Sequence, residues 1–380
     1  MAQLDGVRVL EFSHMVMGPT VGMILGDLGA EVIKVEPLEG DKTRRLPGSG
    51  AGYFAMYNRN KRSITVDLKS EEGMKVIREL LARSDVMIEN FRGGALDKLG
   101  LGYDAVRAIN PAIVYQSCKG FLSGPYENRT ALDEVAQMIG GLAYMTGPTG
   151  RPLRAGASVI DVTGALFGVI GVLSALLARK DTGEGANVRA SLFETTAFLV
   201  GQHIAQGAVT GTPAPPMPER ISAWAVYDVF DTSDGQIFVA VVSDGQWQKL
   251  CAEFELSDWA DTPDLAQNPG RVARRDRIIP HLRAVFGAIS TAELSTRVER
   301  IGLPFAPIRK PDDLLEDPHL SAHGLHEMEL PDGTRVRLPA LPLEIDGERP
   351  ALRRSPPGIG ADTDEVLSWL GIDPAGPAQG

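Results

Sequence analysis

The residue with the clearest chemical potential is Asp161, a single carboxylate at the boundary between two kinds of sequence. Before it, residues 151–160 are rich in small side chains and arginine, and after it a long apolar segment begins. An aspartate at the start of a helix can cap that helix by accepting a backbone N–H bond. It can also serve as a nucleophile that forms a covalent intermediate. The position alone leaves both roles open.

Cationic side chains that could bind an anion are concentrated in the first hundred residues. A glycine-rich loop at 90–94 carries Arg92 and is followed by Lys98, and backbone amides at such a strand-to-helix turn suit phosphate. Two further basic segments, 40–45 and 58–63, could form an anion site or a solvated face. Their six cations are Lys42, Arg44, Arg45, Arg59, Lys61 and Arg62.

The chain as a whole is acidic, with a formal net charge of −11. This disfavours a nucleic acid or an anionic membrane as a partner. The amino terminus lacks the charged and apolar regions of a signal peptide, and the apolar segment 162–177 is short and glycine-rich for a membrane span. We therefore expect a cytoplasmic protein without a membrane partner.

The elements that would position these residues alternate between strand and helix. Strands are predicted at 7–12, 31–36, 64–68, 85–89, 113–117 and 188–192, a helix at 71–83, and a turn-rich connection at 144–153. This alternation predicts a parallel sheet whose strands end at a ligand crevice. The first loop lacks the G-x-G-x-x-G pattern, which excludes a standard dinucleotide site. The helix after Asp161 carries Gly164, Gly168 and Gly171, which predict close packing against its neighbours.

A chain of 380 residues is long enough for two domains or for one large domain with an insertion. The proline-rich stretch 211–218 is the clearest linker. We place a large domain at 1–210, a smaller one at 222–318 and a C-terminal segment at 319–380. Cys118 and Cys251 are far apart, and His319, His323 and His326 form no helical ligand pair, so no metal site is expected.

A series of short motifs runs in a fixed order along the chain. They are Gly18-Pro19, LGAEVIKVE at 28–36, Gly40-Asp41, NKRS at 60–63, DLK at 67–69, ENFR at 89–92, Gly120 with Gly124-Pro125, Arg129 with Asp133, Gly140-Gly141, Thr146-Gly147, Pro152 and Ile160-Asp161. None is diagnostic alone, but in this order and spacing they resemble the class III (CaiB/BaiF-type) CoA-transferase family over most of the chain.

The resemblance implies an α/β fold with a doubly wound, Rossmann-like large domain and an inserted, smaller α+β domain. The C-terminal segment would return to the large domain. It also implies an interlocked homodimer, in which two chains are threaded through each other like linked rings. Composition and spacing alone do not indicate that linkage.

The resemblance also implies that Asp161 is the nucleophile. In the family, this carboxylate attacks an acyl-CoA thioester, and an aspartyl-CoA thioester forms on the way to the product. One thioester is consumed and another is made, so no ATP, metal or nicotinamide is required. Coenzyme A thioesters would be substrates, and we expect no permanently bound cofactor. The family's CoA contacts fall on His14, Met15, Val66, Lys69, Asn90, Phe91, Arg92, Ala95 and Lys98.

The sequence departs from formyl-CoA transferase at Val16, at Pro37 and near 243–246, where the glycine-rich flap has no counterpart. These departures argue against oxalate as the substrate. The motifs at 129–148 and 154–159 look most similar to succinyl-CoA-dependent transferases that act on malate, citramalate, mesaconate or itaconate. A dicarboxylate keeps one carboxylate free, and an arginine could pair with it. The candidates are Arg44, Arg45, Arg151 and Arg154, which could also be solvent-exposed arginines without this role.

Two other functions compete with this one. The α-methylacyl-CoA racemases are isomerases of the same fold. They use a His-Asp pair where this chain has Leu132 and Asp133. Leucine cannot shuttle a proton, which argues against a racemase. A non-catalytic acyl-CoA-binding protein would use the basic residues without a nucleophile. The presence of Asp161 argues against it, and trapping of an acyl-enzyme would separate the two.

Overall fold

The computed structural model describes residues 2–220 and 222–373. Two compact units make up the chain. One holds the residues up to Glu219 and those from Ala322 onward, and the other spans Arg220–Ser321. The proline-rich stretch 211–218 lies in the first unit, just before the boundary.

In the described part of the first unit, six parallel strands form one sheet in the order β3-β2-β1-β4-β5-β6. The order reverses between β1 and β4, which is the point where doubly wound sheets bind ligands. The predicted doubly wound α/β fold is confirmed. The strands are β1 (Arg8–Phe12), β2 (Glu31–Glu36), β3 (Lys61–Thr65), β4 (Val86–Glu89), β5 (Val114–Lys119) and β6 (Ala186–Ser191).

Helices cover both faces of this sheet because side chains alternate along each strand. On β1, Val9 belongs to a core with α1 and α7, whereas Leu10 belongs to a core with α3 on the opposite face. The helices up to the end of this part are α1 (Met17–Asp27), α2 (Tyr53–Tyr57), α3 (Glu71–Ala82), α4 (Tyr103–Ile109), α5 (Asp133–Ile139), α6 (Leu142–Thr146), α7 (Val159–Thr182) and α8 (Leu192–Thr210).

Helix α7 extends beyond the apolar segment 162–177 at both ends. It has 24 residues and is the one described helix long and apolar enough to cross a membrane, so length no longer argues against a span. Its small residues instead pack against the sheet layer, as predicted. A Cβ at Gly168 would lie 2.8 Å from Gln116, and one at Gly171 would lie 2.5 Å from Val188.

Two predicted elements were wrong in place or type. Strand β3 spans Lys61–Thr65 rather than 64–68, because Lys61 and Ser63 are buried in polar contacts instead of lying in a charged loop. The stretch 144–153 does not consist of turns alone, because α6 occupies its start.

The second unit has a small antiparallel sheet packed with helices. Its strands are in the order β7-β8-β9, and Phe230, Trp247 and Phe286 are fully buried in its core. The elements are β7 (Tyr227–Asp231), β8 (Gln236–Ala240), α9 (Asp244–Glu253), α10 (Ser257–Ala260), α11 (Asn268–Ala273), α12 (Arg275–Gly287), α13 (Thr291–Arg300) and β9 (Phe305–Pro307).

The C-terminal segment covers the outer edge of the large sheet at β3. Ser63 and Asp362 bond twice, from each backbone N–H to the other residue's oxygen at 2.9 Å, and the Asn60 amide donates to the carbonyl of Arg354. An edge strand covered in this way cannot pair with another chain. The elements are α14 (Pro318–His323), β10 (Leu325–Glu329), β11 (Arg335–Pro339) and α15 (Thr363–Leu370).

Candidate active site

The loops after β1 and β4 are joined at the carboxyl-terminal edge of the sheet. The Asn90 side chain accepts from the His14 amide at 3.1 Å and donates to the His14 carbonyl at 2.6 Å. The rings of His14 and Phe91 meet edge to face with centroids 5.6 Å apart. Three of the residues expected to contact CoA therefore form one unit at the point where the strand order reverses.

The remaining expected CoA contacts lie at the same edge, because β1, β3 and β4 run parallel. Lys69, Arg92 and Lys98 are exposed, and none of these side chains has a partner among residues 2–220 and 222–373. Ala95 is half-buried in the turn after β4. The side chain of Val66 is different, since it is 7% exposed and belongs to the core, so it could offer a ligand only its backbone.

The imidazole of His14 is held largely neutral by its surroundings. Burial lowers the pKa of His14, the nearby Asp41 carboxylate opposes this, and Lys34 and Lys42 lower the pKa further. A neutral ring can accept as well as donate a hydrogen bond. His14 is therefore suited to contact a polar group without adding charge.

Asp161 lies in the first turn of α7, but it does not cap the helix. The N-cap position is Ser158, and the first amides are satisfied from another helix. The Asp133 carboxylate on α5 accepts from the amides of Ile160 at 2.8 Å and Asp161 at 3.1 Å. The capping explanation for Asp161 is therefore wrong, since Asp133 supplies that bond.

The carboxylate of Asp161 has no hydrogen-bond or ion-pair partner among the described residues. Burial is the main reason that the pKa of Asp161 is raised to about 7, the charges of Asp133 and Glu134 add to it, and Arg154 opposes it. Because the side chain is unpaired, its oxygens stay available to attack a substrate. A desolvated carboxylate is also more reactive than a hydrated one.

Tyr57 of α2 is a neighbour that the sequence did not point to. Burial raises the pKa of the Tyr57 phenol, and the charge of Asp161 is the next largest cause. The hydroxyl therefore stays protonated and can donate a hydrogen bond at this site. No spacing pattern links residue 57 to residue 161, so only the fold brings them together.

In the sequence, Asp133 belongs to the motif with Arg129 and to the racemase position, and it was given no role in the transfer reaction. In the structure it is 4% exposed, and it receives a hydrogen bond from Gln137 in addition to the two α7 amides. Leu132 beside it is 57% exposed and carries no titratable group. Asp133 therefore anchors the start of α7, and its pairing with Leu132 provides no proton shuttle.

Arg44, expected as a partner for a substrate carboxylate, is bound to the protein. Its guanidinium contacts both oxygens of Glu36, at 2.8 and 2.6 Å, and donates to the carbonyl of Pro357 at 2.9 Å. It also lies 3.6 Å from the centroid of the Phe54 ring. All three nitrogens are engaged, so Arg44 serves the fold, and we correct that expectation.

The other three candidate arginines differ in how free they are. Arg154 is half-buried and binds Glu134 as well as two carbonyl oxygens of the loop before α7. Arg45 is exposed and donates to the carbonyl of Glu39. Arg151 is exposed, and its guanidinium has no partner in the described part of the chain. Arg151 therefore remains the most available of the four.

Most of the basic segments 40–45 and 58–63 form neither a solvated face nor an anion site. Arg59 is buried against Asp27 at 2.6 Å, and Lys61 is buried against Glu11 at 2.8 Å. Burial lowers the pKa of Lys61 to about 8, although Glu11 opposes this. Buried cations of this kind are retained because a carboxylate on a neighbouring element neutralises them.

Neither cysteine is poised for chemistry. Both are buried, and burial raises the pKa of Cys118 to about 12 and that of Cys251 to about 11. Among the described residues, no group of three or more His, Cys, Asp and Glu side chains is arranged to hold a metal.

Comparison with known proteins identifies the family of this chain. The profile of CoA-transferase family III matches residues 4–363. A succinate–glutarate CoA-transferase of Agrobacterium fabrum is 31% identical over 97% of this chain and 95% of its own length. A succinyl-CoA:mesaconate CoA-transferase of Haloarcula marismortui is 30% identical over 98% of both chains. Other matching relatives are named for oxalate.

A solved structure gives the same result. The crystal structure of a CAIB/BAIF family protein from Brucella suis superposes with a TM-score of 0.85 and 34% identity, over 97% of this chain and 99% of that one. The chain therefore belongs to CoA-transferase family III. It is an enzyme that transfers CoA between acyl groups.

Proposed function

We propose that the protein moves CoA from succinyl-CoA to a small dicarboxylic acid through intermediates on Asp161. The carboxylate attacks the thioester carbonyl, and the C–S bond breaks to give a mixed anhydride and CoA thiolate. The thiolate attacks the aspartyl carbonyl, which releases succinate and leaves an aspartyl-CoA thioester. The acceptor carboxylate then attacks this thioester, which expels CoA thiolate and gives a second mixed anhydride. The thiolate attacks the acceptor carbonyl of that anhydride, which forms the new CoA thioester and frees the Asp161 carboxylate.

The observation that carries the proposal is the state of the Asp161 carboxylate. It is half-buried in the first turn of α7, it has no partner among the described residues, and its pKa is raised to about 7. A carboxylate kept for structure would accept hydrogen bonds, as Asp133 does nearby. An unpaired one whose burial is unfavourable fits a nucleophile.

The exposed cations at the carboxyl-terminal edge support the binding of an anionic nucleotide. Lys69, Arg92 and Lys98 come from the loops after β3 and β4, and His14 and Asn90 lie at the switch point of the sheet. CoA carries several phosphate charges, which lysine and arginine neutralise. We propose that these loops hold the nucleotide, so that the thioester extends toward Asp161.

Exchange of Asp161 tests the chemistry. Asp161→Ala should abolish transfer, a loss of several powers of ten, while CoA binding is kept. Incubation of the parent protein with succinyl-CoA and hydroxylamine should convert Asp161 to a hydroxamate that peptide mass spectrometry detects. Asp181→Ala, at the exposed far end of α7, is the matched control. Normal turnover in Asp161→Ala, or CoA binding without any adduct in the parent protein, would refute the nucleophile and favour a binding protein.

The names of the relatives support a dicarboxylate as acceptor, and Arg151 is the residue we propose for its free carboxylate. When a monocarboxylate binds to a site built for a dicarboxylate, the cation for the second carboxylate stays unpaired. This lowers kcat/KM for the monocarboxylate. Glutarate, mesaconate, malate, citramalate and itaconate should therefore exceed propionate in kcat/KM, and Arg151→Gln should remove most of that preference. Equal use of propionate would refute the dicarboxylate assignment. Faster use of oxalate would refute the choice of a C4–C5 acid.

We also propose that the working enzyme is a homodimer. Helices α7 and α8 lie side by side, with the rings of Phe167 and Phe198 in edge contact at 5.4 Å, and they expose large apolar side chains. A cleft of about 660 Å³ lies between α6 and α8 and is lined mainly by apolar groups. The exposed large apolar side chains on these two helices are Leu166, Ile170, Leu177, Phe198, Leu199, Ile204 and Val209.

A further inference from the structure

The turn after β2 holds a motif whose role in the transfer reaction is unassigned. Residues Lys42–Arg45 form a single turn of 3₁₀-helix, which Asp41 caps by accepting the Thr43 amide at 2.8 Å. The turn is fastened at its other end by Arg44 and Glu36. Within this turn only Thr43 is buried, so its side chain faces the protein.

The loop between β1 and α1 is the feature that Thr43 contacts. It has four residues, Ser13–Val16, between the end of β1 at Phe12 and the start of α1 at Met17. The chain reverses within this short loop because Met15 adopts a φ of +65°. This left-handed conformation is unfavourable for a residue with a side chain and persists only where neighbouring groups hold it.

Three side chains hold the loop from three different elements. The Met15 amide donates to Thr43 Oγ1 at 2.9 Å, Lys34 Nζ donates to the Ser13 carbonyl at 2.6 Å, and Asn90 bonds the His14 backbone. Of these contacts, the one from Thr43 acts directly on the strained residue.

Thr43 is itself fixed by a buried ion pair. Asp41 is 5% exposed, and its carboxylate lies 3.1 Å from Lys34 Nζ. Burial acts to raise the pKa of Asp41, but Lys34 and hydrogen bonds from Thr43 outweigh it and hold that pKa below its usual range. The turn and the loop therefore share one charged anchor, because Lys34 binds Asp41 and the Ser13 carbonyl.

The shape of this loop is transmitted to the nucleophile. Met17, the first residue of α1, packs against α7 at Gly164, where an added Cβ would lie 2.9 Å from Met17 Cε. Gly164 is one turn of helix beyond Asp161. If the loop relaxed, the start of α1 would shift against the turn that carries Asp161, and His14 would move with it. Displacements of about 1 Å are enough to slow an enzymatic reaction strongly.

We propose that Thr43 is a positioning residue for acyl-CoA: through the Met15 amide it holds the loop after β1 in its strained form and so sets His14 and the start of α1 beside Asp161. The proposal rests on the proposed function only in taking this loop as part of the acyl-CoA site. Thr43 itself touches no reacting atom.

Paired substitutions at Thr43 test the hydrogen bond apart from the shape of the side chain. Thr43→Val keeps the shape and loses the acceptor, and it should lower kcat/KM for acyl-CoA about tenfold. Thr43→Ser keeps the hydroxyl and should stay within about threefold of the parent protein. Thermal unfolding of all variants checks that the fold is kept. Equal losses in the two variants would overturn the proposal.

A double-mutant cycle with Met15 separates positioning from a general structural role. Glycine adopts a positive φ at no steric cost. Thr43→Val should therefore cost no more than about twofold when it is introduced into Met15→Gly, compared with about tenfold in the parent background. The same fold loss in both backgrounds would show that Thr43 does not act through the strained residue, and the inference would fail.

The hydroxamate assay on Asp161 keeps this inference distinct from the proposed function. If the parent protein forms the adduct and the cycle shows no coupling, only the role of Thr43 is refuted. If the parent protein forms no adduct, the role of Asp161 as nucleophile is refuted. The double-mutant cycle of Thr43 and Met15 is then measured through the affinity for CoA in calorimetric titration. Coupling in that titration would still support the positioning role, and its absence would overturn it.

Discussion

At the residue scale, the unpaired carboxylate of Asp161 makes stability depend on pH. Its pKa is raised to about 7, chiefly by burial, so the folded protein keeps a proton that an unfolded aspartate loses near pH 4. The stability that this group contributes is complete below about pH 4 and is lost as the pH rises through about 7. Function at this position therefore opposes stability above neutral pH.

We expect Asp161→Asn to be more stable than the parent protein at pH 8, by on the order of 1 to 4 kcal/mol, and the gain to shrink at pH 5. Urea unfolding at both pH values, at one protein concentration, measures the difference. Asp181→Asn, at the exposed end of the same helix, should show no such pH dependence. A gain equal at the two pH values would contradict the raised pKa.

Asp133 should control the pH at which the enzyme becomes active. Its charge is the second cause of the raised pKa of Asp161, so Asp133→Asn should lower that pKa and shift the acid limb of the kcat/KM profile to lower pH. Glu134→Gln should shift it in the same direction but less. Thermal unfolding controls for damage to the α7 amide bonds. A limb that stays in place or moves to higher pH would rule out this coupling.

Arg92 should act on binding and not on chemistry. Its side chain is exposed and has no partner in the described residues, so Arg92→Ala should raise the KM for succinyl-CoA about tenfold and leave kcat nearly unchanged. The effect should weaken at high salt. Arg107→Ala, an exposed arginine paired with Glu184 at the opposite edge of the sheet, is the control. An unchanged KM at low salt would remove Arg92 from the CoA site.

Sequence pattern found part of this site but not its organisation. Motif order pointed to Asp161 and to the loops after three strands, because catalytic and binding residues leave a trace in local sequence. Other features depend on burial or on pairs that are far apart in sequence. They are the hydrogen bonds from the start of α7 to Asp133, the position of Tyr57 near Asp161, and the ion pair of Arg44 with Glu36. A charge count could not separate exposed Arg92 from buried Arg59, because only the fold supplies Asp27 beside the latter.

At the scale of elements, close packing of α7 decides where Asp161 lies. The sequence predicted this packing from its glycines, and the structure adds the partner at each position. The apolar segment 162–177 stops short of the helix end because the last turn is charged, with Arg179 and Lys180. A cation in the last turn suits the helix dipole, so the helix extends to Thr182 and ends at Gly183 in the left-handed conformation.

Gly171→Ala should destabilise the protein although alanine favours helices. An added Cβ would lie 2.5 Å from Val188 Cγ1, and a β-branched side chain on a strand has little freedom to move. We expect a loss of about 1 to 3 kcal/mol in the free energy of unfolding. Gly245→Ala, at a helical position on α9 where a Cβ meets nothing, should be neutral or gain up to about 1 kcal/mol. Similar values for both variants would mean that α7 can move away from β6.

At the scale of the whole molecule, alternating strands and helices predicted the parallel sheet, and the structure adds its order, with the reversal between β1 and β4. The expected association of two chains rests on motif resemblance alone, because no local pattern encodes threading of one chain through another. In the proposed homodimer, the partner chain would cover the apolar face of α7 and α8. Seven large apolar side chains exposed on two adjacent helices are more than a monomer normally leaves in water.

We expect light scattering after size exclusion to give twice the chain mass, about 81 kDa from 40.7 kDa, at every concentration, because linked rings cannot separate without unfolding. Ile170→Glu with Ile204→Glu should prevent assembly, since a charge buried in an apolar interface is costly. Leu343→Glu, which changes an exposed leucine of the C-terminal segment, is the matched control and should stay dimeric. A dimer that dissociates on simple dilution would contradict interlocking while keeping the interface, and a stable monomer of the parent protein would refute both.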